Sequence, residues 1–536
     1  MAASVTAARC MIIFEDQHLL VINKPAGMNT HSPSPFAGEG IYEWLQNREP
    51  RWSKLAIIHR LDKETSGVIV FGKTTLANRS LTNQFAERNV SKKYLLLTDR
   101  LVSFKDLKVE SVLVRAGEKY LSRPIHTSGE RAETRFKKLK SDSNGNVVIE
   151  AEPITGKTHQ IRVHAAANGF PILGDALYGG MTAARVCLHA AEISFAHPES
   201  EKPMTFGAAI NFSDDSRQEI RAALIDPELT DAFRLIHGAS DGWPGWYVER
   251  LGDFLLSQSE HALNPAQLQI LENLLKRFSL RAAYHKRLSR RVRQISSAQA
   301  SPQLVLGESA PNEFVIRENR IQFVLSFNEG YSVGLFLDQR ENRRRILTNY
   351  IAPEFLLRVN DGEFSVLNTF AYTCGFSVCA AKAGANVTSL DLSKKYLEWG
   401  KRNFAANGID PKQHDFIFGD AFDWMKRLVK KNRQFDLIIL DPPTFSQSKE
   451  QGTFRAEKDY EKLVSAALPL LKVNGVLLAS TNANTLKPEI FLEMINAAVV
   501  SAKRKISQQH YVAQPTDFPI TRDEPAYLKT VWLRIV

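Results

Sequence analysis

At 536 residues the chain is too long for one hydrophobic core and is expected to fold as two to four domains. Its 44% hydrophobic and 24% charged residues are ordinary globular values, and no long uncharged apolar segment occurs, which argues against a disordered or membrane-embedded class. A net charge of +11 suits a polyanionic partner such as RNA without requiring one, and four cysteines with no CxxC pairing indicate neither a zinc site nor a disulfide framework. The first residues lack the basic-then-apolar pattern of a signal peptide, so the protein is expected to be soluble, reduced and cytoplasmic, with no metal.

Ile12 to Ile22 reads as two strands about a turn at Glu15-Asp16-Gln17-His18, ending in the loop Asn23-Lys24-Pro25-Ala26-Gly27. Apolar runs then flank the nonapeptide His59-Arg60-Leu61-Asp62-Lys63-Glu64-Thr65-Ser66-Gly67: Leu55 to Ile58 before it, Val68 to Phe71 after it. The pattern is strand, polar turn, strand, with Thr65, Ser66 and Gly67 to fold the turn tightly. It sets Asp62 between the cations Arg60 and Lys63, where an aspartate can serve as nucleophile or base. A charged surface hairpin would look the same. Leu76 to Arg88 has helical periodicity, Tyr94 ends the run Val90-Ser91-Lys92-Lys93-Tyr94, and Asn146 to Ala151 reads as a strand. In Thr155 to His164, Ile161 and Val163 alternate with Arg162 and His164. Tyr94 packed on a sheet and Arg162 in a buried ion pair would explain both without chemistry.

The nonapeptide resembles the active-site motif of RluA-type pseudouridine synthases. The NKPAGM loop before it, the Tyr94 segment, the Arg162 segment, Phe170 to Gly179 and Leu188-His189-Ala190 resemble later family segments in the right order. The likeness covers nearly all of residues 1–212. It implies a mixed, mostly antiparallel sheet and a reaction without cofactor or metal. It also implies that Lys24 lines the RNA cleft and that Arg60 fills the space left by a flipped uridine. Asp62 then either attacks ribose carbon 1 or removes the carbon-2 proton. Tyr94 stacks beneath the uracil, Arg162 holds Asp62 in place, and the uracil rejoins through carbon 5. Phe170 to Gly179 is read as scaffold, and the small RNA-binding domain of many relatives is not expected ahead of Ile12.

Ser213 to Glu219 is polar and reads as a linker. Residues 213–328 are expected to form a small α+β connector with strands at Trp246 to Val248 and Phe254 to Gln258 and a helix from Pro265 to Phe278. A basic run follows, with Lys286, Arg287, Arg290, Arg291 and Arg293; it is either a solvated face or a contact for RNA phosphates. The stretch DAFRLIHGASDGWPGWYVERLGDF resembles the segment preceding the catalytic domain in cytosine-5 methyltransferases of large-subunit rRNA.

In residues 329–536 strands at Ser365 to Asn368, Val387 to Leu390, Asp415 to Phe418, Leu437 to Leu440 and Val476 to Ser480 alternate with helical patterns. That argues for an open, mostly parallel sheet with its ligand at the strand carboxyl ends. Polar residues fall there: the loop of Asn368, Thr369, Phe370, Tyr372 and Gly375, then Asp391, Asp420 and Asp441. Singly these are common, since a lone acid after a strand is often a helix cap, and a nicotinamide-binding domain alternates in the same way. Combined with Asp441-Pro442-Pro443-Thr444-Phe445 they resemble the Rossmann-like class I S-adenosylmethionine-dependent methyltransferases. Asn328 to Ile346, with Asp338 and Arg340, resembles the entry segment of the rRNA enzymes of that class. The resemblance implies S-adenosylmethionine held by these residues, with Asp391 on the ribose and Asp420 near the adenine amine. It places Asp441, Pro442, Pro443 and Phe445 at the reacting base.

Cytosine carbon 5 is a poor nucleophile and needs a cysteine to add at carbon 6 first. Related cytosine-5 enzymes carry that cysteine after the fifth strand, where this chain has Ser480-Thr481-Asn482-Ala483-Asn484. A guanine ring nitrogen needs only positioning at the methyl group. The run Asp441 to Lys449 with the Ser-Thr-Asn-Ala-Asn segment resembles the guanine-N7 methyltransferase of large-subunit rRNA. A bifunctional RNA-modifying enzyme is therefore expected, with a synthase at 1–212, a connector at 213–328 and a methyltransferase at 329–536. The alternatives are a cytosine-5 methyltransferase, or a synthase whose last domain only binds RNA.

Overall fold

The structure, a computed structural model, describes residues 11–142, 145–288, 300–330, 332–448 and 452–536. The chain divides into two compact units, one built chiefly from Glu39–Asp226 with the strands before it, the other from Pro227–Val536. Among the described residues no helix is long and apolar enough to cross a membrane.

The first unit is organised on one mixed sheet. Its strands run, edge to edge, Ile12–Glu15, Leu19–Lys24, Ser66–Gly72, Leu188–Ala196, Ser91–Thr98, Val147–Pro153, Glu130–Ser141, Asp106–Ala116 and Lys119–Arg123. Neighbours are antiparallel except Ser66–Gly72 beside Leu188–Ala196. Ser66–Gly72 is buried at every position, which is why its sequence after Ser66 is an unbroken apolar run, whereas Val147–Pro153 alternates buried and half-buried residues. Gly67 has φ +116°, and a Cβ there would sit 2.2 Å from the Ala190 carbonyl oxygen. The parallel pairing of Gly67 with Ala190 thus demands the glycine that ends the nonapeptide. The Arg162 segment is helical, Gln160–Ala167. Residues 213–219 are not the expected linker: a helix, Ser216–Leu224, starts there with the Asp215 carboxylate accepting from Arg217 N–H. Its few apolar residues suffice, because Ile220 and Leu224 pack into the core that holds Trp44 and Phe71.

In the second unit a five-stranded sheet has the order Ala232–His237, Trp246–Leu251, Phe254–Ser259, Ala282–Arg287 and Gln303–Gly307. Helix Pro265–Phe278 connects the one parallel pair and carries a reciprocal cap, Asn264 with Gln267, and a proline at its first position. The second sheet runs Asp415–Phe418, Asn386–Asp391, Ser365–Thr369, Phe435–Leu440, Leu471–Thr481, Lys529–Ile535 and Ile506–Val512, parallel until Lys529–Ile535 enters antiparallel. The two sheets share one core. Ala232, Phe254 and Tyr284 of the first lie in the same apolar cluster as Val366, Leu437 and Trp532 of the second. Helix Arg340–Thr348, arginine-rich yet mostly buried, spends its cations internally: Arg343 is bidentate to Glu318 at 2.6 and 2.7 Å, and the Arg345 guanidinium donates to Ile351 O.

Candidate active sites

In the first unit two loops lock the nonapeptide. Gly27 N–H donates to Lys63 O at 2.7 Å, and the Thr30 hydroxyl both donates to Leu61 O and accepts from Leu61 N–H. Inside the turn Thr65 N–H donates to Asp62 O at 3.1 Å. Lys24, expected to line the RNA cleft, is instead wholly buried. Its amine donates to Pro25 O at 2.9 Å and Met28 O at 2.6 Å and lies 3.4 Å from Lys63 O. Burial pushes this lysine down to about 7 despite the charges of Glu64 and Asp62 nearby. It is a staple beneath the turn and does not reach RNA.

Arg60 is exposed, and Asp62 opens into a cleft of about 990 Å³ that Tyr94, Lys92 and His159 also line. Asp62 Oδ2 lies 3.6 Å from Arg162 Nη1 and 4.0 Å from His159 Nε2. Arg162 gives its main bonds to Asp175, at 2.7 and 2.8 Å, and places Nη1 also 3.6 Å from Glu64. Tyr94 is kept protonated by burial and by the Asp62 charge, both of which raise its phenol above the usual range. His59 stacks on Phe85 at 4.9 Å and accepts from Val70 N–H; burial pushes it down to about 3, so it stays neutral and structural. Asp62, Arg60, Tyr94 and Arg162 therefore gather at one cleft. Sequence reasoning missed His159, Glu64 and Lys92 there, and it read Asp175, buried behind Arg162, as part of the scaffold segment Phe170 to Gly179.

In the second unit, Thr369, Asp391, Asp420 and Asp441 stand at the carboxyl ends of four adjacent parallel strands, where an open α/β sheet holds its ligand. The loop after Thr369 puts three non-glycine residues at positive φ, Phe370, Tyr372 and Cys374, before helix Gly375–Lys382. Such strain concentrates at functional sites. Asp391 fixes the loop: Oδ2 accepts from Tyr372 N–H and Oδ1 from Ser393 N–H, both at 2.8 Å. Burial raises its carboxyl above the usual range. Asn368 is buried and donates to the Ser377 hydroxyl. Asp420 caps helix Ala421–Lys430, its Oδ1 accepting from Phe422 and Asp423 N–H, which is the plain role of an acid after a strand.

Asp441 is pushed up to about 7 by burial and by the neighbouring Asp338 carboxylate, while Gln339 Nε2 donates to its Oδ2 at 3.2 Å. Tyr527 O–H donates to Asp338 at 2.9 Å. Arg340, expected at the cofactor, is 4% exposed with its guanidinium clamped on Asp517 at 2.5 and 3.0 Å, so its fork is spent inside the protein. The hydroxyl of Tyr460 accepts from Ser480 N–H and lies 2.9 Å from Leu440 O, tying the ends of the fourth and fifth strands. Pro442 is buried, Pro443 exposed, and Phe445, 38% exposed, opens a hairpin, Phe445–Ser448 with Gly452–Arg455, that the sequence did not announce. The Arg455 guanidinium lies 5.8 Å over the Phe445 ring. Among the basic residues, Arg287 is exposed at the end of its strand, while Arg290, Arg291 and Arg293 lie outside the described residues. An acid that accepts backbone N–H groups beside a strained loop, at the sheet's ligand end, fits the ribose of a nucleoside cofactor.

Residues 18–167 match the RNA pseudouridylate synthase family. Residues 233–534 match the S-adenosylmethionine-dependent methyltransferase family. The chain is 31% identical over 322 residues to "Ribosomal RNA large subunit methyltransferase I" of Aeromonas salmonicida, a match covering 59% of this chain and 78% of that protein. It is 33% identical over 327 residues to "Ribosomal RNA large subunit methyltransferase" of Deinococcus radiodurans, covering 59% and 76%. A solved structure described as "a putative methyltransferase complexed with SAH" superposes with a TM-score of 0.51 at 26% identity, covering 64% of this chain and 87% of that one.

Proposed function

Since the chain belongs to the S-adenosylmethionine-dependent methyltransferase family and carries an RNA pseudouridylate synthase domain ahead of that region, we propose that it modifies large-subunit ribosomal RNA twice. It isomerises a uridine and methylates a guanine at N7. We take residues 1–212 as the synthase and 329–536 as the methyltransferase; of the connector at 213–328, helix Ser216–Leu224 packs into the synthase core and the part from Ala232 onward into the methyltransferase core.

At the synthase cleft Asp62 reacts with the flipped nucleotide, Arg60 enters the space it leaves, and Tyr94 meets the uracil. Arg162 keeps a positive charge beside Asp62 throughout. S-adenosylmethionine, when bound, supplies a methyl group on a positively charged sulfur. The chain's own part is to hold that nucleoside with Asp391 and the 370–374 loop. It must also set the base against Pro442, Pro443 and Phe445, so that a ring nitrogen faces the methyl group.

The observation that carries the choice of guanine is the cysteine distribution. Of four cysteines, the methyltransferase region has only Cys374 and Cys379, at 0% and 1% exposure, and burial pushes Cys374 up to about 12 and Cys379 higher still. Neither can reach a base as a thiolate, and none stands in the Ser480 to Asn484 segment. A nitrogen acceptor needs no such thiol. The cytosine-5 reading is supported by the connector's likeness to that group and by the match to "Ribosomal RNA large subunit methyltransferase I" over 59% of this chain. Nucleoside mass spectrometry of rRNA treated with the enzyme decides: 7-methylguanosine with pseudouridine is expected, and 5-methylcytidine would sink the guanine assignment.

Two measurements bear on the cofactor. Asp391→Ala removes charge-assisted hydrogen bonds of about 1.5–3 kcal/mol, weakening S-adenosylmethionine binding roughly tenfold or more by calorimetry. Unchanged affinity would reduce Asp391 to a pin for its loop. Asp441, raised to about 7, should couple affinity to pH. An acid with a raised value is protonated below it, so a carboxylate that would balance the cofactor's positive charge is lost as pH falls through 7. Affinity at pH 6 should be about tenfold weaker than at pH 8, a difference that Asp441→Asn abolishes. A flat profile in the wild type would place Asp441 away from the cofactor.

A further inference from the structure

We propose that Asp175 is a positioning residue for pseudouridine formation, holding the Arg162 guanidinium at a fixed stand-off from Asp62. The inference rests on the reading of Asp62 as the reacting carboxylate.

The Asp175 side chain is 1% exposed, and its two oxygens take Arg162 Nε at 2.7 Å and Nη2 at 2.8 Å, a complete fork-to-fork pair. That pairing occupies one whole edge of the guanidinium and leaves Nη1 as the end facing the cleft. Nη1 is 3.6 Å from Asp62 Oδ2 and 3.6 Å from Glu64 Oε2, beyond hydrogen-bond reach of both. Asp62 therefore feels the cation without spending a lone pair on it.

Other contacts hold the arrangement in place. The Tyr178 ring lies 5.2 Å from the guanidinium carbon, and the Tyr178 hydroxyl is 2.8 Å from His159 Nδ1. Asp175 is seated by its N–H to Ile172 O and by Gly180 N–H to its own carbonyl. Gly174 stands at φ +85°, where a Cβ would fall 1.8 Å from Arg185 O, so the backbone can approach this closely only as glycine. Without the Asp175 charge the guanidinium is free to turn its fork onto Asp62. Both Asp62 oxygens would then be engaged, and neither would be available to a ribose carbon or a proton.

The full chain carrying Asp175→Asn should form pseudouridine with kcat about tenfold lower, a loss of the size that sub-ångström misplacement produces. KM for RNA should stay within about twofold, since the lost interaction is not with bound substrate. The acid limb of the pH–rate profile should move to lower pH as Arg162 closes on Asp62, a change that loss of packing alone does not produce. Because Asp175 acts through Arg162, the Arg162→Ala, Asp175→Asn double variant should be no slower than Arg162→Ala. Wild-type kcat in Asp175→Asn, or losses that multiply in the double variant, overturn the inference. If Asp175→Asn does not accumulate folded, Asp175→Glu decides, since it keeps the ion pair and shifts the fork by one methylene. A comparable fall in its kcat supports positioning, and a wild-type kcat overturns it. An inactive Asp62→Asn protein beside a fully active Asp175→Asn protein overturns this inference alone. An active Asp62→Asn protein overturns the reading beneath it.

Discussion

Protein carrying Asp62→Asn makes no detectable pseudouridine while its methyl transfer continues at the wild-type rate. Asparagine keeps the volume and removes the charge, and neither the nucleophile nor the base survives the exchange; a loss of about 10⁴-fold or more is the scale for such a group. The turn itself should stand. Its ties run through backbone atoms of Leu61 and Lys63 to Thr30 and Gly27, and none of them uses the Asp62 carboxylate. Thermal unfolding should therefore match the wild type. The residues proposed for methyl transfer, Asp391 and Asp441 among them, lie in the other compact unit and have no stake in Asp62. Nucleoside mass spectrometry for pseudouridine and methyl incorporation into the same RNA give both readings from one reaction. Pseudouridine at a normal rate would remove Asp62 from the chemistry.

Phe445→Ala lowers methyl transfer by the loss of a stacking surface, about 1–3 kcal/mol or roughly 5- to 150-fold. The ring stands 38% exposed at the start of its hairpin, four residues beyond Asp441, where a splayed base could lie on it. Arg455 already sits over the ring, so the platform is held in orientation before RNA arrives. Phe445→Tyr, which retains a flat face, should recover most of the rate. Cys374→Ser and Cys379→Ser leave turnover within a small factor at temperatures where both remain folded, since neither thiol reaches the base. Loss of activity in Cys374→Ser, accompanied by 5-methylcytidine, would mean that the connector's likeness was the better guide to the reaction.

What could be seen in the sequence was whatever one short stretch carries by itself. The nonapeptide around Asp62, the Asp391 and Asp441 strand ends and the helix Pro265–Phe278 are contiguous signals, and the structure has them where they were expected. Lys24 was misjudged because its surroundings are assembled from distant chain. A lysine beside a proline-glycine loop looks solvent-bound until Met28 O and, 39 residues on, Lys63 O come to its amine. Arg340 failed in the same way, for its partner Asp517 is 177 residues distant. The helix Ser216–Leu224 was hidden by composition, since a polar stretch that buries few side chains reads as linker until the core beneath it is known. The hairpin at Phe445 had no alternation to betray it. The strand Lys529–Ile535 is nearly all buried, but its apolar run Val531-Trp532-Leu533 is too short to tell a strand from a buried helical turn without its neighbours.

The interlocking of the Gly27–Thr30 loop with the Asp62 turn limits how the activity can be transplanted. The turn's conformation is held by partners more than thirty residues upstream, so a peptide spanning His59 to Gly67 would carry the carboxylate without its geometry. The smallest piece that keeps the turn's shape is a discontinuous cassette of both loops with the strands Leu19–Lys24 and Ser66–Gly72 that bring them into register, and the activity needs Tyr94, Arg162 and Asp175 besides. Nine residues inserted into another hairpin would lack the ties to Gly27 and Thr30 that shape the turn.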